Sequence, residues 1–169
     1  MKIVLIGFMG TGKTSVAPLL AAKLGLDAIE MDDLIMAKAG RRSIPDIFKA
    51  GGESAFRELE MAVAKDLAGR DNAVISTGGG VVTSQATMGY LTKDAAVVGL
   101  AASFDTVLER INPKMPRPLF QDRAQAKALY DLRRPLYSKY AVISVATDGK
   151  TVDEVVEAIT SQIDKVKNS

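Results

Sequence analysis

Gly7-Phe8-Met9-Gly10-Thr11-Gly12-Lys13-Thr14 is the stretch that decides the reading of this chain. It fits G-x-x-x-x-G-K-[ST] at every fixed position, and its flanks are those the motif requires. An apolar run, Lys2-Ile3-Val4-Leu5-Ile6, precedes it, and a helical pattern continues to about Leu24. Glycines at these positions let successive backbone N–H groups turn inward around a polyphosphate, and the following helix adds its positive end. Lys13 is placed to reach the β and γ phosphates, and the Thr14 hydroxyl to coordinate magnesium. The candidate ATP-binding residues of this loop are Gly10, Thr11, Gly12, Lys13, Thr14 and Ser15.

Outward from the loop, short apolar runs alternate with longer helical patterns, which predicts stacked βα units and a parallel sheet. The predicted strands are Lys2 to Ile6, Asp27 to Glu30, Ala73 to Ser76, Ala95 to Leu100 and Val142 to Val145. All are mostly apolar, as expected of strands covered on both faces. One predicted helix carries Phe56, Leu59, Val63 and Leu67 on a single stripe. The last begins after Thr151, an N-cap with Glu154 at the capping-box position. Asn112 to Arg123, with prolines at 113, 116 and 118, cannot be a regular helix and reads as a lid.

Composition narrows the chemistry. A chain of 169 residues is expected to form one domain, 1–169. Cysteine and histidine are both absent, so thiolate, Ser-His and Cys- or His-zinc mechanisms are excluded. A general base must then be a carboxylate, lysine or tyrosine. The net charge of +2 gives no argument for nucleic acid or membrane binding. No apolar run approaches the roughly 20 residues needed to span a bilayer. Absence of a heptad pattern makes a monomer the default, and a cytoplasmic location is expected.

The phosphate loop alone does not separate a kinase from a regulatory GTPase. Thr92-Lys93-Asp94 misses the guanine-reading pattern by one residue, and Asp66-Leu67-Ala68-Gly69 falls on the wrong side of a strand. Three further clusters point to phosphoryl transfer. Glu30-Met31-Asp32-Asp33 follows the second strand, where acids can support magnesium and accept a hydroxyl proton. They could equally favour the N-terminus of a helix from Asp33 to Ala39. Ser76-Thr77-Gly78-Gly79-Gly80 follows the third strand and permits close backbone approach to a ligand, or a plain turn. Arg57 lies at the edge of its helix's apolar stripe, and Arg133 and Arg134 precede Pro135-Leu136-Tyr137. Guanidinium groups bind carboxylates in a planar, bidentate way, so an acidic acceptor would use them.

In order and spacing these residues resemble the shikimate kinase family, from the loop to about Tyr137. Ser43-Ile44-Pro45-Asp46-Ile47-Phe48, Gly52-Glu53, Phe56-Arg57, Thr77-Gly78-Gly79-Gly80, Arg117-Pro118-Leu119 and Arg133 with Pro135-Leu136-Tyr137 carry the likeness. The resemblance implies an α/β/α P-loop kinase fold with a five-stranded parallel sheet in the order 2-3-1-4-5. It implies a substrate-binding segment at about 31–60 and a lid at about 112–123. It also implies transfer of the γ-phosphoryl group of ATP to the 3-hydroxyl of shikimate, on the route to chorismate. By position, Arg57 and Arg133 would hold the shikimate carboxylate, with Gly78, Gly79 and Gly80 beside the ring. Asp32 would bind hydroxyls and act as base, with Asp33 as its rival. Lys13 and Arg117 would neutralise the transferring phosphoryl, and Arg110 would lie near the adenine. Magnesium would sit on Thr14 and, through water, on Glu30, where the family usually has aspartate. The loop Gly40-Arg41-Arg42-Ser43 is one residue longer than usual, and Lys139 stands where an acid is common. The rival readings are a kinase for another hydroxy acid such as gluconate, and a non-catalytic nucleotide-binding module.

Overall fold

A computed structural model describes residues 1–40, 43–111 and 122–167. Five parallel strands form one sheet: β1 (Lys2–Ile6), β2 (Asp27–Glu30), β3 (Ala73–Ser76), β4 (Ala95–Ala101) and β5 (Ile143–Ala146), in the order β2-β3-β1-β4-β5. In register, Val4 of β1 stands beside Ile75 of β3 and Val97 of β4. The expected sheet and strand order are therefore what the chain adopts.

Alternation along β1 explains why its sequence is continuously apolar. Val4 and Ile6 enter one core, packed with Ile75 of β3 and Val97 of β4. On that face lie α2 (Met31–Ala39), α3 (Ile44–Leu67), α4 (Gln85–Thr92), α5 (Phe104–Arg110) and α6 (Arg123–Tyr140). Ile3 and Leu5 enter the opposite core, under α1 (Lys13–Leu24) and α7 (Val152–Lys167). A strand between two helical layers has no polar face to show. Each large aliphatic side chain buried in this way contributes about 1.5–3 kcal/mol.

The two edge strands depart from that expectation. Asp27 and Ala28 of β2 are exposed, and β5 buries Ile143 and Val145 while exposing Ser144 and Ala146. Edge strands pair on one side only, and the helical layers are centred on β1.

Local signals fix the helix ends. Thr151 and Glu154 form the expected reciprocal capping box, N–H to carboxylate at 2.7 Å and N–H to hydroxyl at 3.2 Å. Ser43 caps α3 by accepting the Asp46 N–H at 3.2 Å. Asp122 caps α6 by accepting the Ala124 N–H at 2.8 Å. Asp122 and Arg123, the end of the expected lid, form the cap and first turn of α6. The rest of the expected lid, residues 112–121, lies outside the described residues, as do Arg41 and Arg42. A break within α3 at Gly52, with φ 73° and ψ −172°, was not foreseen. That left-handed backbone suits glycine and divides α3 into a short arm and a long helix.

Candidate active site

All the phosphate-loop, acidic and glycine clusters gather at the carboxyl ends of the strands. The two GTPase-like stretches do not. Asp94 immediately precedes β4, and Gly69 lies before β3, so both face the amino end of the sheet.

The loop after β1 is shaped by its glycines. A β-carbon on Gly7 would fall 2.4 Å from the Leu100 carbonyl oxygen, with φ at +152°. Gly12, at φ 99°, forms the N-cap of α1. Lys13 is buried, and its Nζ donates to the carbonyls of Gly7 at 2.7 Å and Phe8 at 3.1 Å. The ammonium thus lies across the mouth of the cradle. Thr14 and Ser15 are exposed in the first turn of α1. The Thr11 side chain is buried and donates to the Phe8 carbonyl at 2.7 Å, so it braces the loop. Arg110 closes the far side. It donates to the Gly10 carbonyl at 3.2 Å and to the Thr147 hydroxyl and carbonyl at 2.8 and 2.7 Å, tying the phosphate loop to the turn after β5.

Glu30 ends β2 opposite Ser76 of β3. Burial raises its carboxyl above the ordinary value, an effect opposed by the hydroxyls of Ser76 and Thr14. Asp32 and Asp33 occupy the first turn of α2, so the helix-terminus and site readings both hold. They diverge in direction. Oδ1 of Asp32 lies 3.5 Å from where a Gly78 β-carbon would sit, whereas Asp33 is exposed.

Each glycine of Gly78-Gly79-Gly80 faces a different component. Gly78 lies against Asp32 and Glu60. Gly79 lies against the Met9 N–H and the Gly7 carbonyl of the phosphate loop, at 3.4 and 3.5 Å from a built β-carbon. Gly80 lies against the Arg57 guanidinium, where a β-carbon would come within 2.3 Å of Nη2. The missing side chains let the phosphate loop, two carboxylates and an arginine meet on one backbone segment.

Arg57 is 24% exposed, at the edge of its helix's buried stripe as expected. It donates to Glu60 at 2.8 Å and lies 5.2 Å from the Phe56 ring centroid. Arg133 projects from α6 into the same region and is only 7% exposed, whereas Arg134 is exposed. Both arginines expected to face the acceptor are thus turned inward. Arg117 lies outside the described residues.

Glu60 is the residue the sequence reading missed. It is 1% exposed and takes the place on the buried stripe of α3 that was assigned to Leu59, which is half-buried. A carboxylate three residues beyond Arg57, on the apolar face, was the available signal. Burial raises its carboxyl above 4.5, opposed chiefly by Arg57, while Asp32 adds to the rise and Arg133 subtracts. A carboxyl raised by folding binds its proton more tightly in the folded chain. Its stabilising share is therefore complete below its ordinary value and declines as pH climbs through the raised value. We expect the unfolding free energy of Glu60→Gln to fall less steeply than that of the parent between pH 4.5 and 8. Urea titrations across that range measure it, and parallel slopes would remove the assignment.

A phosphate cradle on one side and a wall of inward arginines on the other, joined through one glycine segment, define a small-molecule kinase of the P-loop class. The chain is an ATP-dependent phosphotransferase of this class. It belongs to the shikimate kinase family, whose model matches residues 9–164. A shikimate kinase of Thermodesulfovibrio yellowstonii is 42% identical over 170 residues, covering 99% of this chain and 97% of that protein. Among solved structures, the shikimate kinase of Acinetobacter baumannii in complex with shikimate superposes with a TM-score of 0.92 at 32% identity, covering 99% and 95% of the two chains. The shikimate kinase of Aquifex aeolicus superposes with a TM-score of 0.86 at 37% identity, covering 97% and 96%.

Proposed function

We propose that this chain transfers the γ-phosphoryl group of ATP to the 3-hydroxyl of shikimate, with the residue roles that follow. The observation that carries the reading is the Gly78–Gly80 segment. It touches the phosphate loop at Gly79, Asp32 and Glu60 at Gly78, and the Arg57 guanidinium at Gly80. An acceptor bound along it would present an alcohol to the cradle while its anionic end met guanidinium groups.

Arg57 and Arg133 hold the acceptor carboxylate by charge-assisted hydrogen bonds. Asp32 binds ring hydroxyls and receives the 3-hydroxyl proton as the phosphoryl arrives. Asp33 is set aside for this role because it points to solvent. The loop backbone, with Thr14 and Ser15, binds the β and γ phosphates, and Arg110 borders the nucleotide side. Lys13 leaves the Gly7 and Phe8 carbonyls for the transferring group, with Arg117 as the second cation. Such catalysis is mainly positioning and charge neutralisation.

Magnesium fits the donors present. The exposed Thr14 hydroxyl and the Glu30 carboxylate are hard oxygen donors at the carboxyl end of the sheet. Among the described residues no three acids cluster to cage a metal, so most of its ligands would be phosphate oxygens and water. Bound there, the ion neutralises phosphate charge. Every residue named comes from one chain, so a monomer suffices. A cytoplasmic location is in keeping with ATP as donor. No helix among the described residues is long and apolar enough to cross a membrane.

An ADP-release assay with shikimate and with gluconate tests the acceptor. ADP release is expected with shikimate and near background with gluconate. Preference for gluconate would replace the acceptor, and ATP binding without acceptor-dependent release would leave a nucleotide-binding module.

A further inference from the structure

We propose that Tyr137 is a positioning residue that holds the acceptor's glycine segment at working distance from the phosphate cradle. The inference rests on the acceptor reading above and adds to it a residue that need touch neither ligand. The Tyr137 hydroxyl donates to the Gly79 carbonyl at 2.6 Å, a bond between residues 58 apart in sequence. Gly79 is also the glycine that abuts the phosphate loop, through the Met9 N–H and the Gly7 carbonyl. The phenol therefore fixes a peptide at which the donor and acceptor halves of the site meet.

Its surroundings make the bond one-directional. Tyr137 is 9% exposed, and burial drives its hydroxyl above the ordinary value, with Arg133 and Arg57 pulling part of the way back. It stays protonated at neutral pH and donates to the carbonyl. Arg133 precedes Tyr137 by one turn of α6, and its charge acts on the phenol. One helix face thus presents a carboxylate-binding guanidinium and the donor that orients the neighbouring glycine. The ring also packs in the core beneath the loop, so packing and hydrogen bonding must be separated experimentally.

Tyr137→Phe keeps the ring and removes the donor, whereas Tyr137→Leu removes both. A peptide released by a fraction of an ångström misaligns the alcohol without removing any group that binds it. The Phe variant is expected to fold with a Tm close to that of the parent and to lose about tenfold in kcat. Its calorimetric Kd values for ATP and for shikimate should change less than about threefold, well below the loss in kcat. Acceptor-independent ATP hydrolysis should rise relative to transfer. A Phe variant as fast as an active parent, with only the Leu variant impaired, would reduce Tyr137 to packing. Loss of shikimate affinity at unchanged kcat would make it a binding residue and overturn the proposal. Parent activity on shikimate is the control. Its failure would count against the acceptor reading, whereas an unimpaired Phe variant counts against Tyr137.

Discussion

Lys13→Ala is expected to lower kcat by about 10³-fold while leaving the fold intact. The lysine's structural duty is small. Its Nζ donates to the Gly7 and Phe8 carbonyls, which line the open cradle and would be reached by water once the side chain is gone. The loop itself is held by other groups, namely the Thr11 hydroxyl on the Phe8 carbonyl and the glycine geometry at residues 7 and 12. What disappears is a cation able to follow the γ-phosphoryl group as it moves. A charge that binds reactant and transition state unequally shows in kcat rather than in nucleotide affinity. Single-turnover rates and the Kd of a non-hydrolysable ATP analogue separate the two. The same melting temperature with near-normal kcat would rule out the role.

The second large effect belongs to Arg57, and it has two components. Loss of its bonds to an acceptor carboxylate is expected to raise the acceptor KM by roughly 10- to 150-fold, from about 1.5–3 kcal/mol for charge-assisted hydrogen bonds. Arg57→Ala also strips Glu60 of its 2.8 Å partner in a site only 1% exposed. Leaving one charge of a buried pair uncompensated costs about 3–5 kcal/mol. Since Arg57 is partly exposed, solvent screening brings this to about 2 kcal/mol. The double variant Arg57→Ala/Glu60→Gln separates the components. Stability should recover, because a neutral amide needs no counter-ion, while the KM stays high. Recovery of both would mean that Arg57 serves the fold and not the acceptor. An unchanged KM in the single variant would have the same meaning.

Much of the site was legible because its chemistry is written in short contiguous runs. The phosphate loop needs its glycines and lysine at fixed spacing to bend main-chain amides inward, and so it announces itself. Arg57 and Gly78–Gly80 stood out by their places on a helix face and at a strand end, whereas the choice of Asp32 over Asp33 and of Arg133 over Arg134 rested on the resemblance to the shikimate kinase family. Glu60 was legible only as a carboxylate one turn from Arg57 on an apolar face, not as part of the site. The residue that excuses its burial, Arg57, becomes its partner only when α3 coils, and only β3's loop closes the pocket around both. The part played by the Thr11 side chain was not legible either: a hydroxyl in a phosphate loop can face the ligand or its own backbone, and spacing does not say which.

By itself the sequence determined the five strands, the cap of the last helix and the presence of a polyphosphate cradle. Each follows from interactions between near neighbours: side-chain alternation along β1, the Thr151–Glu154 box, and successive N–H groups at residues 7–14. The tertiary structure alone decided what those parts face. Packing turned Asp32 inward and Asp33 outward, buried Glu60 against Arg57, and brought the Tyr137 hydroxyl to the Gly79 carbonyl. Tyr137 and Gly79, like Asp32 and Gly78, lie on different elements, and the Arg57–Glu60 pair, one turn apart on α3, is closed in by Gly78 and Gly80 after β3. The free energy of these contacts exists only once the sheet has set the helices around it.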